Sequence, residues 1–81
     1  MKVSIKLFAA AAQLAGGRSI DVDVASQATV ADLRRCLIDR HPALAPMIKH
    51  AMIAVDHQYA SDEARIDVAA EIALIPPVSG G

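Results

Sequence analysis

The sequence predicts an α+β domain in which a mixed β-sheet packs on one main helix. Alternating polar and apolar residues open the chain, an amphipathic helical pattern follows, and short apolar segments occupy the last third. A length of 81 residues leaves room for a single core. The composition is 54% hydrophobic but holds one Phe, one Tyr and no Trp, so Val, Ile and Leu must form that core.

Two strands are predicted at the start of the chain. Residues 2–7 and 20–24 each place three apolar side chains on one face, which is the pattern of a half-buried strand. Between them, the helix formers of 9–15 predict about two helical turns. Gly16 and Gly17 end that helix. A connection of this length favours an antiparallel pair of strands.

The main helix is predicted over residues 30–41, where apolar residues recur at i, i+3 and i+7. Thr29 is a suitable N-cap, and Asp32 forms a weak capping box with it. Pro42 disfavours helical geometry at the residue before it, so the helix ends at His41.

The rest of the chain is predicted to return to strands. These are residues 52–55, 58–59 and 71–75. A short turn over 43–49 precedes the first of them, and Asp56-His57 is the turn before the second. Ile66 and Val68 are expected to contact the core. Pro76-Pro77 ends the last strand, because proline cannot donate a hydrogen bond to a ladder.

This order of elements is that of a β-grasp, or ubiquitin-like, fold. The last strand can lie beside the two leading strands if the helix crosses the sheet diagonally and right-handedly. We therefore expect a β-grasp domain over residues 1–76 and a flexible tail over residues 77–81.

Charge and cysteine content disfavour several functional classes. Eight Lys and Arg residues against nine Asp and Glu give a net charge of -1, without the basic stripe of a nucleic-acid-binding protein. The single cysteine cannot form an internal disulfide, which indicates a reducing compartment. No apolar run reaches the ~18–20 residues of a membrane span. We expect a soluble cytoplasmic domain that binds neither nucleic acid nor membrane.

The tail carries the most unusual pattern in the sequence. Pro76-Pro77 is expected to hold the tail extended, and Gly80-Gly81 allows close backbone approach because glycine has no Cβ. A carboxylate at the end of such a narrow, extended segment can enter a narrow nucleotide site. Adenylation there would make it a good acyl donor. Attack by sulfur on the adenylate would leave a thiocarboxylate on Gly81. The alternatives are an inert flexible tail and a cloning remnant.

The sequence resembles the small subunits of molybdopterin synthase, which are sulfur carriers of molybdenum cofactor biosynthesis. The resemblance covers the whole chain and rests on Leu7-Phe8-Ala9 with Leu14 and Gly16, on Glu71-Ile72-Ala73, and above all on Pro76-Pro77-Val78-Ser79-Gly80-Gly81. Ala12-Gln13 replaces the usual Arg-Glu pair, and Val68-Ala69-Ala70 replaces an Asp-Gly-Asp turn.

The resemblance implies a carrier that is not an enzyme on its own. An ATP-dependent activating enzyme would adenylate Gly81, next to Gly80, and a sulfur donor protein would supply the sulfur of the thiocarboxylate. The large synthase subunit, expected in a heterotetramer, would hold the catalytic residues and deliver the sulfur to cyclic pyranopterin monophosphate. No permanently bound cofactor is implied, and ATP is consumed by the activating enzyme. The implied partner-contacting residues are Phe8, Leu74, Ile75, Pro76, Pro77, Val78 and Ser79.

Other candidate residues and functions carry less weight. Cys36 lies mid-helix and is interpreted as a partly buried thiol rather than a persulfide site. The histidines and Cys36 lack zinc-ligand spacing, so no metal site is expected. Arg34 and Arg35 are expected on a solvated helix face. The alternative functions are a sulfur carrier for thiamine or amino-acid synthesis and a ubiquitin-like modifier or binding module.

Overall fold

The computed structural model describes residues 1–8, 12–13 and 16–76 of the chain. Its elements are β1 (Lys2–Leu7), β2 (Ser19–Asp23), α1 (Val30–Arg40), a 3₁₀ helix (Pro42–Leu44), α2 (Ala45–His50), β3 (Met52–Val55), β4 (Gln58–Tyr59) and β5 (Ile72–Ile75). Ala12 and Gln13 are helical, as predicted. The rest of the helix predicted over 9–15, and the tail predicted over 77–81, lie outside the described residues.

The five strands form one sheet in the order β2-β1-β5-β3-β4. β1 is antiparallel to β2 and parallel to β5, and β3 is antiparallel to both β5 and β4. Parallel pairing of the first and last strands needs a long crossover connection, and α1 lies within it. The predicted antiparallel leading pair and the predicted β-grasp arrangement are confirmed.

The inner face of the sheet forms the core with α1. Every second residue of β1 is buried, and Ile72 and Leu74 of β5 lie in register beside Ile5 and Leu7. The buried residues of α1 are Val30, Leu33 and Leu37. Each such side chain stabilises the fold by about 1.5–3 kcal/mol when it is fully buried. The inner face is therefore committed to the core, and the outer face of the sheet remains for other contacts.

The main helix begins and ends close to its predicted bounds. The Thr29 hydroxyl accepts a hydrogen bond from the Asp32 N–H at 3.3 Å, and the Asp32 carboxylate accepts one from the Thr29 N–H at 3.0 Å. The capping box is thus complete, and the hydrogen bond from the Thr29 backbone is the main cause that lowers the pKa of the Asp32 carboxyl. The turn predicted over 43–49 is the 3₁₀ helix followed by α2.

Arg34 departs from its predicted position on a solvated helix face, whereas Arg35 conforms to it. Nη1 of Arg34 donates hydrogen bonds to the carbonyl oxygens of Ile48 and Ala51 at 2.6 and 2.7 Å. Only 18% of the Arg34 side chain is exposed, against 71% for Arg35. Carbonyl groups at the end of a helix lack the usual i+4 amide partner, so they can accept hydrogen bonds from the Arg34 guanidinium.

Asp56 and His57 form the turn that the sequence predicts between β3 and β4. Both residues have positive φ angles, 51° and 69°. Two successive residues of positive φ are typical of the type I′ turn that connects two short antiparallel strands. The turn therefore places His57 above the start of β5, which pairs with β3.

Asp67 organises the connection that leads into β5. Its carboxylate accepts a hydrogen bond from the Ala69 N–H, and its carbonyl accepts one from the Ala70 N–H, both at 2.9 Å. This turn forms even though Val68-Ala69-Ala70 departs from the usual Asp-Gly-Asp. Ile66 is buried as predicted, but the prediction that Val68 contacts the core is wrong, because the turn leaves Val68 exposed.

Candidate functional site

A row of residues crosses four strands on the outer face of the sheet. Lys6 of β1 is in register with Ala73 of β5, Ala73 with Ala54 of β3, and Ala54 with Tyr59 of β4. Residues at matching positions in neighbouring strands project to the same face of the sheet. The two alanines therefore form a low floor between the larger side chains of Lys6 and Tyr59.

Larger side chains around this floor enclose a shallow concavity of ≈ 280 Å³. Its lining consists of Lys6, Phe8, Ala54, His57, Tyr59, Glu71, Ala73 and Ile75. We call these residues, with Met52, which is in register with Ile75, the docking face. Within the described ranges, four large apolar residues are exposed, and Phe8, Met52 and Tyr59 of this face are three of them. A cluster of exposed apolar side chains is typical of a protein contact site.

Glu71 joins two basic side chains at one rim of the docking face. Its Oε1 accepts a hydrogen bond from Nζ of Lys6, and its Oε2 lies 2.8 Å from Nε2 of His57. The hydrogen bond from Lys6, followed by the charge of Lys6, lowers the pKa of the Glu71 carboxyl. Glu71 is therefore ionised at neutral pH and balances the charge of Lys6.

The backbone fixes Glu71 in this position. The Asp56 N–H donates to the Glu71 carbonyl at 2.8 Å, and the Glu71 N–H donates to the Asp56 carboxylate at 2.9 Å. The turn between β3 and β4 is thus bonded to the residue that precedes β5. Because of these bonds, the rim that carries Glu71 and the start of β5 form one unit.

The predicted partner-contacting residues fall into three groups. Phe8 and Ile75 line the docking face, and Pro76 follows Ile75 directly and is partly buried. Leu74 is fully buried on the inner face, so it is a core residue whose side chain does not reach the surface. Residues 77–81, which include the other predicted contacts and the reactive Gly81, lie outside the described residues.

Sequence reasoning missed several members of the docking face. Lys6, Ala54, His57 and Tyr59 had no predicted role, and Glu71 was named only as part of a resemblance. The alternating pattern of β1 does indicate one member of the face, because its polar residues, including Lys6, must point away from the core. That signal does not say which other strands lie beside β1, so it could not assemble the face.

The structure also places the remaining candidate residues. Cys36 is a free, partly buried thiol on α1. Among residues 1–8, 12–13 and 16–76, no three His, Cys, Asp or Glu side chains come together in a way that could hold a metal ion. Over the same ranges, no helix has the length and apolar character needed to cross a membrane.

The fold and the docking face define a class of small β-grasp proteins whose last strand ends beside an exposed apolar surface. The family model described as the ThiS family matches residues 5–81, and the chain belongs to that family.

Relatives and a solved structure agree with this membership. The chain is similar to a molybdopterin synthase sulfur carrier subunit of Caenorhabditis briggsae, with 37% identity over 100% of this chain and 99% of that protein. It is also 37% identical to small archaeal modifier protein 1 of Haloferax volcanii, over 94% of this chain and 97% of that protein. The crystal structure of SAMP1 from Haloferax volcanii has a TM-score of 0.84 and 35% identity, and the match covers 100% of both chains. The resemblance to sulfur carriers seen in the sequence is confirmed.

Proposed function

We propose that this chain is the sulfur-carrier subunit of molybdopterin synthase. Membership of the ThiS family and the end-to-end similarity to the Caenorhabditis briggsae carrier support the proposal. The observation that carries it is the position of β5, which lies between β1 and β3 inside the sheet and ends at Ile75 on the docking face. A protein that binds this face is adjacent to the point where the chain continues toward Gly81.

The proposed chemistry takes place at the carboxyl group of Gly81. An activating enzyme transfers AMP from ATP to the carboxylate and releases pyrophosphate. Hydrosulfide supplied by a donor protein attacks the acyl carbon, the bond from that carbon to the AMP oxygen breaks so that AMP leaves, and a thiocarboxylate remains. In the large synthase subunit, two such thiocarboxylates each donate one sulfur to cyclic pyranopterin monophosphate, and the two sulfurs form the dithiolene of molybdopterin. Water attacks each acyl carbon as its sulfur is transferred, which restores the Gly81 carboxylate. The carrier supplies the acyl group, and the catalytic residues belong to its partners.

The reach of the tail limits how far from the domain the receiving active site can lie. Five residues after Pro76 span at most about 16 Å, at ~3.3 Å per extended residue. A partner that receives Gly81 must therefore hold its active site within that distance of Pro76. Binding of the docking face raises the effective concentration of the thiocarboxylate at that site. We propose the docking face as the contact for the large subunit, in a heterotetramer.

A ubiquitin-like modifier is the second candidate, because the chain is also 37% identical to small archaeal modifier protein 1 of Haloferax volcanii. The first step is shared, since a modifier also needs an activated acyl group. A lysine amine would then attack the adenylate instead of sulfur, and AMP would leave as an isopeptide bond forms. A sulfur carrier for another pathway, such as thiamine or amino-acid synthesis, shares every step up to the thiocarboxylate.

Reconstitution with purified proteins tests the proposal. The chain is incubated with ATP, an activating enzyme and a sulfur source, and the intact mass should show one oxygen replaced by sulfur. The thiocarboxylated protein is then mixed with the large synthase subunit and cyclic pyranopterin monophosphate, and molybdopterin should form. A thiocarboxylate that forms but does not react with the pterin would favour another sulfur pathway. Isopeptide-linked products without any thiocarboxylate would favour the modifier.

Two tagged forms of the chain provide the control for the reacting group. Residues added after Gly81 convert its carboxylate into a peptide bond, whereas residues added before Met1 leave it free. Only the N-terminally tagged form should gain sulfur. Equal sulfur uptake by the uncleaved C-terminally tagged form would show that the carboxylate of Gly81 is not the reacting group.

A further inference from the structure

The charged groups of the docking face are paired with one another. The face contains one ammonium group, on Lys6, and one carboxylate, on Glu71, and these two groups are hydrogen-bonded. His57 occupies the second carboxylate oxygen. Asp56, the acidic residue next to His57, directs its carboxylate to the Glu71 backbone N–H. With neutral His57, the charges of Lys6 and Glu71 sum to zero.

This pairing matters little in the free protein and more when a partner covers the face. The side chains of Lys6 and Glu71 are 57% and 37% exposed, and ion pairs that remain in contact with water contribute little to stability. A partner that covers the face removes that water. A lone charge left in such an interface is strongly unfavourable, whereas a hydrogen-bonded pair of opposite charges keeps its compensation.

The rest of the face is suited to an apolar partner. The alanine floor accepts a bulky side chain, and Phe8, Tyr59 and Ile75 provide apolar and aromatic walls. Large side chains that fill such concavities provide most of the binding energy of protein interfaces. Because Lys6 and Glu71 already neutralise each other, the face needs no counter-charge from its partner.

We infer that Lys6 and Glu71 determine the specificity of docking, because as a pair they let the face bind a protein surface that is apolar and uncharged at this rim. The partner, in this inference, is the protein that receives Gly81, which rests on the proposed function. In the competing arrangement, the partner places an acidic group opposite Lys6 or a basic group opposite Glu71.

Three variants separate these arrangements. Lys6→Met and Glu71→Gln each leave one charge without its opposite, and the double variant removes both charges. The dissociation constant for the purified large synthase subunit is measured by calorimetry at about pH 8, where an ordinary imidazole is neutral. Lys2→Met is the matched control, because Lys2 is another exposed lysine of β1 that does not line the concavity.

Each single variant should weaken binding by roughly tenfold or more, and the double variant should return to within about threefold of the wild type. The control should bind like the wild type, and the wild-type affinity should change by less than about threefold between low and high salt. A double variant that binds as weakly as the single variants, or a steep salt dependence, would overturn the inference while leaving the proposed function intact. If the wild type does not bind the large subunit at all, the proposed function is wrong and the inference is refuted with it.

Discussion

Replacement of Arg34 by methionine should destabilise the domain far more than the same replacement of Arg35. Arg34 Nη1 donates to two carbonyls at the end of α2, at 2.6 and 2.7 Å, and the side chain is mostly buried. A hydrogen bond from a charged donor contributes about 1.5–3 kcal/mol, and water will replace part of the loss. We therefore expect Arg34→Met to lower the free energy of unfolding by about 2–3 kcal/mol. That corresponds to a fall in Tm of about 10–20 °C for a domain of this size.

Arg35→Met is the matched control for this prediction. The Arg35 side chain is 71% exposed, and its Nη1 lies 3.5 Å from Oδ1 of Asp32 in a surface ion pair whose loss should change the stability only slightly. Urea unfolding followed by far-UV circular dichroism, with both variants and the wild type in one buffer, measures the difference. Equal losses in the two variants would show that the carbonyl contacts of Arg34 do not stabilise the fold and that the reasoning is wrong.

Four further predictions concern the tail, the docking face, the thiol and acid stability. Deletion of Gly81 should abolish sulfur uptake in the mass assay while the melting curve stays unchanged, and full synthase activity in the truncated protein would contradict it. Ala73→Leu should fill the floor of the concavity and weaken binding of the large subunit at least about tenfold. Ser4→Leu, on the outer face of the sheet but outside the concavity, should not weaken it, and equal effects would refute a role for the floor. Cys36→Ser should retain sulfur transfer with a modest loss of stability, and inactivity of the folded variant would implicate the thiol. Folding lowers the pKa of Glu71 from its ordinary value of 4.5, so its contribution to stability is present above about pH 4.5 and is lost as the pH falls through the folded pKa. In a plot of the urea midpoint against pH, Glu71→Gln should therefore reduce the fall in stability on the acid side.

The docking face shows why only part of a site can be predicted from sequence. Phe8 and Ile75 were expected as contacts, and both line the face. His57 and Glu71 are 14 positions apart in the sequence, and they meet because the type I′ turn between β3 and β4 is bonded to the start of β5. Nothing local to either residue encodes that contact.

The helices illustrate the same limit in the fold. The capping box at Thr29 and the break at Pro42 are local, and the sequence predicted both ends of α1 to within a residue. The helical period places Arg34 beside the buried face of α1, four residues after Val30, and Arg35 on the opposite side. That period does not show that Arg34 reaches the carbonyl groups at the end of α2. Whether Arg34 makes these contacts depends on how α2 packs against α1, because that packing places the Ile48 and Ala51 carbonyls beside Arg34.

The sequence by itself therefore determined the elements, since hydrophobic period, caps and turn residues act over a few positions. It also determined the family, through residues spread along the whole chain. Only the tertiary structure decided which residues share a surface, because the parallel pairing of β1 with β5 joins residues far apart in the chain. That pairing places Lys6 opposite Ala73 and next to Glu71, and so creates the neutral rim of the docking face. The pairing of β3 with β5 sets Ala54 beside Ala73 and completes the alanine floor.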